Sequence, residues 1–244
     1  MQNARSETPA HDPLVITIDG PAGAGKSTVA RELAEQLGFE FLDTGAMYRC
    51  VTLAVLRSGV SVADEAAVLA LAEDLHIEVD GATVLMNGQD VSHEIRTPEV
   101  AAAIGTIADN VAVRKLLSQL QRDWAAGRRV VTEGRDQGSE VFKDSPCKIF
   151  LIAGNEERAR RRQAELAARG IKLSLSTVLE QQNKRDQEDQ SRSVGALRQA
   201  DDAIVFCTDG MSLENVVEEL RQLVEQRLGR QYAEARSLES GEST

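Results

Sequence analysis

Residues 20–27 read Gly20-Pro21-Ala22-Gly23-Ala24-Gly25-Lys26-Ser27, a G-x-x-x-x-G-K-[ST] pattern, and no other feature of the chain restricts its fold as much. Such a loop needs a strand to deliver it and a helix to leave it. The N–H groups that surround a phosphate belong to the loop and to the first helical turn, whose dipole favours the anion. Both neighbours are present. The β-branched run at 14–18 ends in Asp19-Gly20 and reads as a buried parallel strand. Residues 27–37 carry apolar side chains at helical spacing, and Gly38 closes them as a C-cap. From average residue usage, the eight-residue pattern arises by chance in roughly one chain in a hundred of this length. The pattern predicts an ATP-binding set of Gly20, Pro21, Ala22, Gly23, Ala24, Gly25, Lys26, Ser27 and Thr28. Lys26 is expected to reach the β- and γ-phosphates, and the Ser27 hydroxyl to ligate the Mg²⁺ that accompanies ATP.

The rest of the chain alternates strands with helices. Short apolar runs at 39–42, 129–132, 148–153 and 203–207 predict strands, and helical spacing predicts helices at 47–58, 66–75, 111–126 and 213–228. An arginine-rich helix follows residue 153, with Asn155 as N-cap and Glu156 and Glu157 in its first turn. This alternation predicts an α/β fold, a central parallel sheet flanked by helices. The stretch from 60 to about 108 departs from the pattern. Runs at 77–79 and 83–86 around Asp80-Gly81 predict a hairpin, and Asn87-Gly88 a second turn, so this segment reads as a small inserted lobe. Residues 1–13 and 229–244 are polar tails expected to be disordered.

Composition narrows the ligand. The net charge is −11 and aromatics are 3%, which argues against nucleic acid, a polyanion held by many cations and by stacking rings. A small anion needs only a local cluster, and Arg158, Arg160, Arg161, Arg162, Arg169, Lys172, Lys184, Arg185, Arg192 and Arg198 offer a candidate, although a charge run taken alone reads first as a solvated basic helix face. Cys50, Cys147 and Cys207 are scattered, and His11, His76 and His93 stand alone, so neither a disulfide framework nor a zinc site is expected. No apolar run approaches membrane-spanning length, and no signal-peptide segment opens the chain; the cytoplasm is the expected location. Asn183-Lys184-Arg185-Asp186 matches the N-K-x-D with which GTPases read guanine, but it follows a helical segment. No Asp in the chain has Gly three residues later, so the D-x-x-G of a switch GTPase is missing.

Acidic groups and arginines recur where the sheet should end. Asp43-Thr44-Gly45-Ala46-Met47-Tyr48-Arg49 follows the second strand, and Glu133-Gly134-Arg135-Asp136 ends the strand that begins at 129. Ligands of open α/β sheets bind at such carboxyl ends. Arg185, Asp189 and Arg192 fall at i, i+4 and i+7, one helix face. Together these groups make an anion clamp with carboxylates suited to a ribose or a base.

With these motifs the chain resembles the bacterial cytidylate kinases, from about residue 14 to 228. The likeness also includes Ile95-Arg96-Thr97-Pro98-Glu99-Val100, Lys148-Ile149-Phe150-Leu151 and Asp189-Gln190-Ser191-Arg192. The resemblance implies a P-loop NTPase core with an NMP-binding lobe at 46–109 and a helical lid at 157–193. It implies that ATP phosphorylates CMP and dCMP, with Lys26, Arg135 and Arg185 catalytic. Thr44 and Arg49 would hold the acceptor phosphate, Tyr48 and Asp189 the ribose, and Arg114, Asp136 and Arg192 the cytosine edge. The hydroxyl that assists the base contact in the family falls near Gly105 and Thr106; with Gly105 at the aligned position, that contact is either missing or taken over by Thr106. Gly138-Ser139-Glu140-Val141 and Gly195-Ala196 depart from the family pattern. A monomer that binds neither nucleic acid nor membrane is expected. The competing readings are another small-molecule kinase, such as a uridylate kinase, and a nucleotide sensor without turnover.

Overall fold

The structure, a computed structural model, describes residues 14–168 and 170–229. In chain order it begins with β1 (Leu14–Asp19), α1 (Lys26–Leu37), β2 (Glu40–Asp43), α2 (Thr44–Ser58) and α3 (Glu65–Glu73). Three short strands follow, β3 (Ile77–Asp80), β4 (Thr83–Met86) and β5 (Gln89–Asp90), then α4 (Pro98–Asp109), α5 (Val111–Ala125) and β6 (Arg129–Gly134). β7 (Cys147–Ile152), α6 (Asn155–Ala168), α7 (Leu175–Ser191), β8 (Ile204–Cys207) and α8 (Leu213–Leu228) complete the series. The expected tails lie outside the described residues, Gly229 apart, and so does Arg169. Among the described residues no helix is long and apolar enough to cross a membrane.

Five strands form one parallel sheet in the order β2-β6-β1-β7-β8, with β1 at its centre. Its two faces are covered differently. Alternation along β1 sends Ile16 and Ile18 to one face, where Ile149 and Leu151 of β7 join Leu33 and Leu37 of α1 and Leu220 and Val224 of α8. On the other face Val130 and Leu42 pack with Met47 and Val51 of α2 and Val113 and Leu117 of α5. That second core continues without a break into Val79, Val84, Met86 and Val100, so the segment after α2 is anchored to the sheet through α2 and α5. Truncating a fully buried side chain such as Ile18 to alanine would cost about 2–5 kcal/mol.

The hairpin expected at 77–86 is present, with Ile77 opposite Met86. Asn87 and Gly88, at φ 52° and 77°, make the next turn into β5. Three elements differ from expectation. α2 starts at Thr44, earlier than periodicity indicates, because the Asp43 carboxylate caps it by accepting from the Ala46 N–H at 2.9 Å. α4 was not anticipated; Pro98 opens it, and its run of alanines leaves only Val100, Ile107 and Ala108 buried, too weak a periodicity to read. Asn155 is the first residue of α6 rather than its cap: the Arg158 N–H bonds the Gly154 carbonyl, and the Asn155 side-chain oxygen accepts from the Arg158 guanidinium at 2.6 Å.

Candidate active site

The carboxyl ends of β1, β6 and the edge strand β2 bring the site together. In register, Asp19 of β1 lies beside Gly134 of β6, and Glu133 of β6 beside Asp43 of β2. The glycine-rich loop leaves β1 at this edge. Gly20 has φ 149° and approaches β7 so closely that a Cβ would stand 2.1 Å from the Leu151 carbonyl oxygen. No other residue fits there. Gly25, at φ 89°, turns the chain into α1, so the loop amides and the helix N-terminus face one concavity.

Lys26 is 5% exposed, and its ammonium donates to the Pro21 carbonyl at 2.8 Å. Burial and then repulsion from Arg135 push its pKa down to about 7, against the opposing pull of Glu133 and Asp19. Ser27 and Thr28 open α1 on its solvent side. The Ser27 hydroxyl donates to Glu133 Oε1 at 2.7 Å, which joins the loop to the end of β6. A hydroxyl and a carboxylate at this spot are hard oxygen donors of the kind Mg²⁺ takes when nucleotide phosphates fill most of its positions. Among the described residues no cluster of three or more His, Cys, Asp or Glu could hold a metal by itself. The residues fit an ion that arrives with a nucleotide. The Glu133 motif was legible in the sequence, but the carboxylate's place beside Ser27 was not.

Next to the loop stands a group of arginines. Arg185, on α7, is half-buried, and among the described residues it has no hydrogen bond or ion pair. Burial, then repulsion from Arg135, lowers its pKa to about 10, with Arg49 and Arg162 adding to the repulsion. Among the described residues Arg49 donates only to the Ile95 carbonyl, at 3.2 Å, and burial likewise lowers its pKa. Thr44 donates its hydroxyl to the Glu133 carbonyl at 2.7 Å and so ties α2 to β6 beside these cations. Lys26, Arg49 and Arg185 thus converge with no carboxylate bonded to them among the described residues. A protein places such charges together at a cost, and a phosphate would satisfy them.

A second set is fully paired. Arg114 of α5 and Asp136 form a salt bridge with both side chains under a tenth exposed, and Arg114 also donates to the Ala108 carbonyl at 3.0 Å. Its guanidinium lies 5.4 Å from the Tyr48 ring centroid, a cation–π contact. Burial pushes the Tyr48 phenol up to about 12. Gly195 stands so near that a Cβ there would collide with the Arg114 guanidinium. This is one of the positions where the chain departs from the family pattern. Asp189 bridges two arginines, accepting from Arg135 Nε at 2.7 Å and pairing with Arg192 Nη1 at 2.7 Å. Burial works to raise its pKa, but Arg135 and Arg192 overcome it and hold the carboxyl below its ordinary range. Arg192, just past the end of α7, also reaches Asp109 at the end of α4. Thr106 lies on α4 with its side chain exposed, whereas Gly105 is half-buried.

A family model described as Cytidylate kinase matches residues 16–226. The chain belongs to the cytidylate kinase family. A cytidylate kinase of Rhodopirellula baltica is 52% identical, over 86% of this chain and 92% of its own length. Those of Carboxydothermus hydrogenoformans and Mycobacterium avium are 45% and 46% identical, covering 86% and 88% of this chain and 96% of each relative.

Against that family reading, the residues singled out in the sequence fall into neighbouring groups at one edge of the sheet. The loop residues, Lys26, Arg49, Arg135 and Arg185 face one another; beside them Tyr48, Arg114 and Asp136 are linked by a ring contact and an ion pair, and Asp189 and Arg192 by a second ion pair. Two further residues had no signal beyond the arginine run. Arg158, 3% exposed, donates to the Ala22 carbonyl of the loop at 2.8 Å and pairs with Asp186 at 2.7 Å. It fastens both α6 and α7 to the loop. Arg161 is held by Thr208 and reaches within 3.9 Å of where a Cβ on Gly25 would lie. The N-K-x-D match lies within α7, as its sequence context implied, and Asp186 serves Arg158.

Proposed function

We propose that the protein transfers the γ-phosphoryl group of ATP to CMP or dCMP, giving ADP and CDP or dCDP. The observation that carries this reading is the contrast within one cleft: cations beside the loop with no carboxylate bonded to them among the described residues, and a prearranged Arg114–Asp136 pair next to them. Membership of the cytidylate kinase family supports the same chemistry.

On this reading the loop amides and Lys26 hold the donor phosphates, and Ser27 with Glu133 faces the accompanying Mg²⁺, which supplies charge neutralisation when bound. Thr44, Arg49, Arg135 and Arg185 receive the acceptor phosphate. That phosphate has a second pKa near 6 and is largely dianionic at neutral pH, so its oxygen attacks the γ-phosphorus without a general base. The bond to the β–γ bridging oxygen breaks, and ADP leaves. The work left to the protein is to bring two polyanions into line and to stabilise the transferring group electrostatically. Tyr48 and Asp189 address the ribose; Arg114, Asp136 and Arg192 read the base, with Thr106 at the rim. The Asp136 carboxylate accepts from the cytosine amino group, which uracil lacks. The elements at 46–109 and 157–193 close over the substrates and exclude water, which suppresses ATP hydrolysis.

The test is ADP release from Mg-ATP with CMP, dCMP, UMP, AMP and GMP offered in turn. Release with CMP and dCMP far above the others is expected. Equal release with no acceptor would make the protein an ATPase, and preference for UMP would remove Asp136 from the role given to it.

A further inference from the structure

Asp19 closes β1 one residue before the loop and by position belongs to the donor side. Its bonds lead elsewhere. The carboxylate is 4% exposed and accepts from the Gln137 N–H at 2.9 Å and the Gly138 N–H at 2.7 Å. Both amides belong to the turn immediately after Arg135 and Asp136. Among the described residues no arginine or lysine is ion-paired to Asp19, and burial raises its pKa to about 7. Keeping a carboxylate there is costly, and the two amide bonds, ahead of the charge of Lys26, offset part of that cost.

The same turn is held from its other side. Gln137 accepts from the Thr132 hydroxyl at 3.2 Å, and its amide donates to Gln121 Oε1 at 3.2 Å. Gln121, 1% exposed, lies on α5 seven residues beyond Arg114, on the same helix face. Gly138 is pressed against the sheet, where a Cβ would stand 2.8 Å from Thr17 Oγ1. Residues 134–138 are therefore clamped between β1 and α5. Beside Gln137, which faces Gln121, they carry Arg135, which pairs with Asp189, and Asp136, which pairs with Arg114.

We propose that Asp19, together with the Gln121–Gln137 bond, is a positioning residue for the acceptor nucleotide: it aims Arg135 and Asp136, and it serves acceptor recognition although it adjoins the donor loop. This rests on the function proposed above. A residue that merely shaped the loop would govern ATP. One that aims Arg135 and Asp136 governs the acceptor and the choice between pyrimidines.

The experiment compares the full chain with Asp19→Asn and Gln121→Met, measuring KM and kcat for ATP, CMP and UMP and thermal stability in each. Asp19→Asn keeps the shape but turns an NH₂ toward one of the two N–H groups, and Gln121→Met removes the far support without touching the loop. A shift of the turn by a fraction of an ångström should raise the KM for CMP about ten- to hundredfold. The CMP-over-UMP preference in kcat/KM should fall by a similar factor, while the KM for ATP stays within about threefold of wild type. A rise confined to the ATP KM, or an unchanged CMP-over-UMP ratio in either folded variant, overturns the proposal. If Asp19→Asn fails to fold, Gln121→Met decides alone by the same criteria. Wild-type protein that does not phosphorylate CMP would instead refute the underlying function, and the two failures are separable in one series.

Discussion

Replacing Lys26 by methionine should make the protein inactive and, at neutral pH, more stable. Burial and then repulsion from Arg135 hold the ammonium at about 7, against 10.5 for the free group. Between those values the unfolded chain carries a proton that the folded chain lacks, so wild-type stability rises with pH. The slope is about 1.4 kcal/mol per pH unit, and the full penalty below pH 7 amounts to a few kcal/mol. Methionine keeps the apolar stem and volume of the lysine without its charge. It forfeits the bond to the Pro21 carbonyl, worth about 1 kcal/mol. The variant should therefore be more stable by a few kcal/mol near pH 6.5, a rise in Tm of several degrees at about 2–4 °C per kcal/mol. The gap should close toward pH 9.5. Urea unfolding at pH 6.5 and 9.5 without nucleotide measures both quantities. A variant less stable than wild type at pH 6.5, or a difference that does not change with pH, would refute the account of a cation held in place at the expense of stability.

Three more outcomes follow from the same contacts. Arg185→Ala should lower kcat for CMP by two or more orders of magnitude with little change in Tm, because among the described residues no carboxylate is hydrogen-bonded or ion-paired to it and Asp189, which feels its charge, keeps Arg135 and Arg192; steady-state kinetics beside a melting curve checks both halves. Asp136→Asn should erode the CMP-over-UMP ratio and also destabilise the fold by a few kcal/mol, since it leaves the buried Arg114 guanidinium without its counter-charge. Selectivity assays and urea titration together test that. A thiol reagent should label the native protein at Cys207 alone, which is exposed, while Cys50 and Cys147 are buried with thiols pushed up to about 12 and 11; peptide mapping before and after unfolding distinguishes them.

The sheet was legible because its strands are short runs of Val, Ile and Leu between turn residues, and burial on both faces leaves no room for polar positions. α4 was not, since alanines carry little amphipathic signal. In the site, the residue types were readable and the partners were not. Lysine and serine in the loop announce their chemistry by spacing alone. The bond from Gln137 to Asp19 spans 118 residues, and that from Arg135 to Asp189 spans 54. Such pairings exist only after the sheet order places β6 beside β1 and α7 above them. Asp189 shows the limit well: its spacing suggested a shared helix face with Arg185 and Arg192, but only the fold reveals that it divides its two oxygens between Arg135 and Arg192.

The two halves of the cleft are prepared in opposite ways, and the difference follows from what each must bind. A nucleobase is neutral and cannot compensate a buried charge. The Arg114–Asp136 pair must therefore be neutralised internally before the ligand arrives, with Ala108 and Tyr48 holding the guanidinium in one orientation. A phosphate brings its own charge. Prior pairing of Arg185 or Arg49 with a carboxylate would have to be broken on binding and would weaken it, so their mutual repulsion is kept as strain that the anion relieves. Arg135 stands on the boundary, paired with Asp189 on one side and adjoining Lys26 and Arg185 on the other. It is the one guanidinium whose position both halves depend on, which is why the backbone that carries it is clamped from β1 and from α5.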